Sequence, residues 1–145
     1  MANLILLEAL AERCREGLGT LSGNPFSSLK GFPKGACGNA AEIVGRILKE
    51  EVGLDGSYVC GREHARMKPS QSHAWYEVGD YIIDVTHDQF DDTGLTGWVF
   101  HRDHSWYAEF AEIERRASFC MPSDWKLYPH DGYKAVTQVF ADRPI

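Results

Sequence analysis

The most constraining stretch of this chain runs from His73 to Thr86: His73-Ala74-Trp75-Tyr76-Glu77-Val78, then Gly79-Asp80, then Tyr81-Ile82-Ile83-Asp84-Val85-Thr86. Two runs rich in aromatic and β-branched residues flank a two-residue Gly-X connection, a strong signal for a β-hairpin. With Gly79-Asp80 as the whole loop, Val78 faces Tyr81, Trp75 faces Asp84 and His73 faces Thr86. Side chains alternate with a period of two, so His73, Trp75 and Glu77 share a face with Ile82, Asp84 and Thr86. His73 and Asp84 are then diagonal neighbours, about 7–8 Å apart between backbones, which suits a carboxylate hydrogen-bonded to an imidazole edge. A slip of one residue would put them on opposite faces. Asp84 is flanked by apolar residues, and a buried carboxylate needs a partner. His73 is the partner this register offers, and Asp88, a short turn beyond, is the rival carboxylate.

Elsewhere the pattern changes to helical. Residues 4–17 place Leu6, Leu7, Leu10 and Cys14 on one side of an amphipathic helix, with Gly17 and Gly19 ending it. Residues 20–36 are rich in Gly, Pro, Ser and Asn and read as a loop. Residues 38–51 form a second helix with Ala40, Ala41, Val44, Ile47 and Leu48 as its buried stripe, and Gly53 is its stop. Residues 57–60 read as a short strand. Residues 61–71 read as a polar, locally basic solvated loop carrying Arg62, Arg66 and Lys68, with a lid over the cleft as the alternative. Residues 98–100 suggest a further strand. Trp106, Phe110 and Ile113 suggest a third helix over 104–116, and 132–140 a last one. The tail from 118 is aromatic and loop-rich. Helices first, then an antiparallel sheet, then more helix is an α+β order in one domain over 1–145.

The loop over 20–36 delivers the chain to Phe32-Pro33-Lys34-Gly35-Ala36-Cys37-Gly38-Asn39-Ala40-Ala41. A thiol at a helix start feels the positive end of the helix dipole and the unpaired N–H groups of the first turn. Both lower its pKa, and the thiolate is the nucleophile. Packing that helix on the sheet face that carries His73 would complete a Cys37-His73-Asp84 set. His73 takes the thiol proton and returns it to a leaving amine, while Asp84 orients the imidazole. The Cys37 backbone N–H is one donor for an oxyanion. Asn24 and Ser28 are weak candidates for a side-chain donor.

Together these residues resemble the transglutaminase-like branch of the papain-like cysteine enzymes. The shared features are a Gly-x-Cys-x-x-Ala helix start, a His-Ala-Trp strand and an Ile-Asp-Val-Thr strand, in the order Cys, His, Asp. They lie within residues 32–90. Asp88-Gln89-Phe90 also resembles small uncharacterised bacterial members of that group. The resemblance implies an α+β core with the Cys helix packed on an antiparallel sheet. By matching position it makes Cys37 the nucleophile, His73 the base and Asp84 the orienting carboxylate. It implies acyl chemistry at amides with no cofactor, acting on a peptide or protein substrate. The chain has no room for the accessory domains of true transglutaminases, which favours hydrolysis over cross-linking. Glutamine deamidation or acyl transfer by a toxin-like effector is the alternative, and a catalytically idle interaction module is another.

The remaining features bound this reading. A net charge of −6 in 145 residues argues against nucleic acid and against an anionic membrane surface. No stretch approaches the roughly 20 apolar residues that span a bilayer. The apolar run after Met1 lacks a basic flank and is broken by Glu8, so a cytoplasmic protein is expected, with export as an effector the alternative. Cys14, Cys60 and Cys120 read as core or bystander thiols, kept reduced there. His73, Asp84, His87 and Asp88 match no metal-site spacing. His101 and His104 read as surface or helix-start residues. Trp75 reads as packing beside the cleft, and Trp98, Trp106, Tyr107, Trp125 and Tyr128 read as core.

Overall fold

A computed structural model of the chain describes residues 3–117 and 130–145. The first helix, α1, is Leu4–Gly19. Asn3 caps it, its side-chain oxygen accepting from the N–H groups of Ile5 and Leu6, so two otherwise orphaned donors of the first turn are satisfied. Leu7, Leu10, Ala11, Cys14 and Leu18 form its buried stripe. The helix α2, Cys37–Val52, stops at Gly53, which takes the left-handed conformation (φ 75°) and donates its N–H to the Lys49 carbonyl.

Five antiparallel strands follow: β1 (Ser57–His64), β2 (Ser72–Val78), β3 (Tyr81–Ile83), β4 (Val99–His101) and β5 (Phe110–Ala117), in spatial order β4-β3-β2-β1-β5. The short helix α3, Ser105–Ala108, sits between β4 and β5. The last helix, α4, is His130–Asp142 and packs on α1. Gly17 permits that approach, since a Cβ there would lie 2.7 Å from the Val136 Cα. The class is therefore α+β.

Two apolar clusters flank the sheet. Tyr76, Val78, Ile83 and Val85 join the stripes of α1 and α2 on one side. Val59, Trp75, Ile82 and Phe100 join Trp106, Tyr107 and Phe110 on the other. β2 lies between them, which is why its residues from His73 to Val78 are all buried. Burying each large side chain of this kind stabilises the fold by roughly 1.5–3 kcal/mol. Glu77 is the charged exception. It accepts from the Trp75 indole and pairs with Arg115 of β5 and Arg102 beyond β4, as a buried carboxylate must.

Several expectations change. The hairpin register holds over three pairs, Val78 with Tyr81, Glu77 with Ile82 and Tyr76 with Ile83. β3 then ends at Ile83 instead of running to Thr86: its pairing with β2 stops there, while the Asp84 N–H still reaches the Trp98 carbonyl in register with β4. β1 continues to His64, so Gly61–His64 is strand rather than loop. Residues 110–117 are strand β5 rather than helix, and helix is confined to Ser105–Ala108. The open edge of β1 decides this, because pairing from Ser57 with Ala117 to His64 with Phe110 satisfies its backbone groups. The charged Glu112, Glu114, Arg115 and Arg116 suit an edge strand. The helix expected over 132–140 is present and longer. Cys120, Trp125, Tyr128 and the tail from 118 to 129 lie outside the described residues.

Candidate active site

Cys37 is the first residue of α2, and no side chain caps that helix start. Its opening N–H groups therefore keep their capacity to donate. The sheet face against α2 is the one bearing Tyr76 and Val78, whereas His73 points to the opposite face with Trp75. The expected packing of the Cys37 helix on the His73 face is thus corrected. The two residues still meet, because β3 leaves β2 after Ile83. Cys37, Ala74, Trp75, Asp84 and Thr86 line a common crevice at that split. Cys37 is half-buried there, and the His73 ring and the Ala74 backbone are close enough to act on its thiol.

His73 is fully buried. Its Nε2 lies 2.6 Å from Asp84 Oδ2. Its Nδ1 lies 3.4 Å from Gln89 Nε2. Trp75, Phe90 and Trp106 pack around the ring, with Phe90 and Trp106 edge-on. Asp84 is also buried, and its carboxylate is well served. Oδ2 accepts from the Tyr107 hydroxyl at 2.6 Å, and Oδ1 from the Thr86 N–H at 3.1 Å.

These contacts set the charges. Burial alone would push the His73 pKa down, but the charge and hydrogen bond of Asp84, helped by Cys37, raise it to about 9. Burial would raise the Asp84 pKa, and His73 and then Tyr107 outweigh it, leaving the carboxyl below its ordinary value. Burial likewise works against a Cys37 thiolate. The hydrogen bond and charge of His73, with the Ala74 backbone bond, reverse that and lower the thiol pKa. Each group favours the charged state of its neighbour, so the site is poised for a thiolate–imidazolium pair.

The remaining candidates separate. Asp88, the rival carboxylate, is gripped by Arg15 in a two-pronged ion pair, 2.8 and 2.9 Å, and so is not the partner of His73. His87 bonds the Gly97 carbonyl at 2.7 Å and packs on Trp98 and Phe100. His73 and Asp84 thus bond each other, while His87 and Asp88 turn to other partners, so the four do not form one centre. Asn24 turns its side-chain oxygen to the Phe26 N–H in its own loop, and Ser28 is exposed. His101 pairs with Asp103 on the surface, and His104 caps α3. Cys14 is buried and burial pushes its thiol far up, while Cys60 is half-buried.

Three contributors were missed by sequence reasoning. Tyr107 was read as core, although a buried Tyr hydroxyl seeks a partner. Tyr58 of β1 brings its hydroxyl beside Gly38, and burial and then the Cys37 charge raise its pKa. Gln89 sits in a single 3-10 turn, His87–Gln89, and nothing in the sequence pattern gives it a role.

A cleft of about 510 Å³ opens beside the His73 ring. Gln89, Phe90 and Trp106 form its wall toward the ring, and Lys34, Arg66 and Lys68 line it with Asp91 and Asp92. Arg66, from the loop after β1, is tethered to Glu109 at 2.7 Å. The cleft reaches the His73 ring only through Gln89, Phe90 and Trp106, whereas Cys37 and Asp84 line the separate crevice at the β2–β3 split. No family model, no curated protein and no solved structure matches this chain.

Proposed function

We propose that this protein is a cysteine-dependent hydrolase of papain-like or transglutaminase-like type that cleaves an amide or peptide bond through a thioester. The observation that carries the reading is the polarity of the buried His73. Its Nε2 is tied to Asp84, and the ring acts on Cys37 at the start of α2, lowering the thiol pKa. In this reading His73 Nδ1 takes the Cys37 proton, and the thiolate attacks the substrate carbonyl. Nδ1–H then protonates the departing amine, leaving a thioester on Cys37. Water attacks that thioester as Nδ1 removes its proton, the carboxylic acid leaves and the thiol is restored. Asp84 holds the ring and stabilises the imidazolium throughout. The cleft lined by Phe90 and Trp106 is the natural seat for a peptide or protein side chain.

Two probes test this. Iodoacetamide at pH 6 should alkylate Cys37 in preference to the other cysteines, as mapped by peptide mass spectrometry. His73→Ala should slow that reaction by about tenfold or more, since each pKa unit regained by the thiol removes that factor of thiolate. p-Nitrophenyl acetate should give a burst of p-nitrophenol that Cys37→Ala abolishes with the fold intact. Labelling spread evenly over the cysteines, or a burst that survives Cys37→Ala, would defeat the nucleophile assignment. On a peptide library, ammonia release without backbone cleavage would redirect the reading to glutamine deamidation, and an amine adduct to acyl transfer.

A further inference from the structure

We propose that Gln89 is the side-chain donor to the oxyanion formed when Cys37 attacks a carbonyl. The inference rests on the Cys37-His73-Asp84 reading above and adds a residue to it.

Gln89 Nε2 lies 3.4 Å from His73 Nδ1, the ring nitrogen left over once Nε2 is bound to Asp84. The same side chain lines the 510 Å³ cleft. Gln89 is therefore a polar group at the boundary between the reacting ring and the space for substrate. In the neutral form of His73, Nε2–H is donated to Asp84 and Nδ1 can accept from the Gln89 amide. In the thiolate–imidazolium pair that the site favours, Nδ1 carries the proton and is a donor, and two N–H groups cannot bond each other. The Gln89 amide then needs a new acceptor when negative charge is about to appear on the substrate oxygen. The Gln89 N–H is held by the Thr86 carbonyl, and Thr86 in turn bonds Asp84. One short segment thus carries both Gln89 and the carboxylate that orients His73, so the backbone bearing the donor is anchored to the site before reaction.

The Cys37 sulfur pair forms the C–S bond, and the carbonyl π pair moves to oxygen. That oxygen accepts from the Cys37 backbone N–H and from Gln89 Nε2–H. As the pair returns, the bond to the leaving group breaks, and the leaving group takes the proton from His73 Nδ1. Gln89 donates without being transferred and ends as it began.

Alkylation and acylation separate this role from others, because iodoacetamide displacement needs the thiolate but forms no oxyanion. Gln89→Met keeps side-chain length and removes the donor, with Gln89→Ala as a second variant should the first disturb folding. Both should lower the rate of Cys37 acylation by p-nitrophenyl acetate by about 10²–10³. The rate of iodoacetamide alkylation at pH 6 should stay within about twofold, because thiolate population is untouched. Acylation that stays at the wild-type rate overturns the proposal. Parallel loss of alkylation also overturns it, making Gln89 a positioning residue for the ion pair. Tyr58→Phe tests the competing hydroxyl near Gly38, and a large acylation loss there with none at Gln89 assigns the donor to Tyr58. A wild-type protein with no Cys37-dependent burst overturns the hydrolase reading itself, a failure distinct from the others.

Discussion

At the scale of single residues, the site is organised around Asp84 rather than around the thiol. Its two oxygens accept from His73, Tyr107 and Thr86, and all three donors are buried. The His73–Asp84 pair was legible because a two-residue turn fixes register and a period of two fixes faces. Tyr107 was not, since the pattern says that a Tyr is buried without saying which distant oxygen its hydroxyl reaches. That hydroxyl is a strong donor to a buried carboxylate and cannot easily ionise beside it, burial and then the Asp84 charge raising its pKa well above normal. Tyr107→Phe keeps the ring packed among Trp75, Phe100 and Trp106 and removes this one bond. Hydrogen bonds to charged groups contribute about 1.5–3 kcal/mol, so a loss of that size is expected in urea denaturation at pH 7. An unchanged midpoint would mean that water or a shift of Thr86 replaces the bond.

At the scale of elements, the question is what holds the segment from Val85 to Phe90 against the rest. The answer is Arg15 on α1. Its guanidinium donates to the Val85 carbonyl at 2.7 Å, grips both oxygens of Asp88, and stacks against Phe32 and Trp98. One side chain thus joins the loop before Cys37, the turn after Asp84 and the approach to β4. Arg15→Lys keeps the charge but loses the planar fork and the stacking. The ion pair is partly exposed, so its loss should cost only about 1 kcal/mol of stability. Misplacing Gln89 and His73 by a fraction of an ångström should reduce Cys37 acylation about tenfold or more. Activity falling far more than stability, with faster amide exchange at residues 86–90, is the expected outcome; equal losses would make Arg15 a simple stability residue. α2 and Gly53 were readable because an apolar stripe and a glycine stop are local signals. β5 was misread because Trp106, Phe110 and Ile113 satisfy helical spacing, while the unpaired edge of β1 that recruits the segment lies some fifty residues away. Local propensity yields to tertiary pairing in such cases.

At the scale of the whole molecule, the sheet brings Cys37 and His73 together by ending early. α2 covers one face and the Trp106–Phe110 aromatic cluster the other, so the two groups approach from opposite sides at the split between β2 and β3. This burial makes the charges of the site a term in global stability. His73 has its pKa raised to about 9, burial opposing and Asp84 prevailing, so its contribution is complete below its unfolded value of about 6.5 and is lost as pH rises toward 9. Asp84 has its pKa lowered, burial opposing and His73 prevailing, so its contribution is present above about pH 4 and is lost as pH falls. Cys37 acts in the opposite sense on the alkaline side, because a lowered thiol pKa adds stability as pH rises. The two effects separate in Cys37→Ala, where His73 retains Asp84 as its partner and loses the part of its shift that Cys37 supplied. Urea denaturation of that variant should give a stability plateau from about pH 4 to 6.5, then a decline no steeper than about 1.4 kcal/mol per pH unit. Adding Asp84→Asn should flatten the decline, because neutral Asn holds no proton on the ring. A Cys37→Ala protein whose stability stays level from pH 6.5 to 9 would show that His73 is neutral in the fold, and the imidazolium on which the thiolate depends would have no support from Asp84.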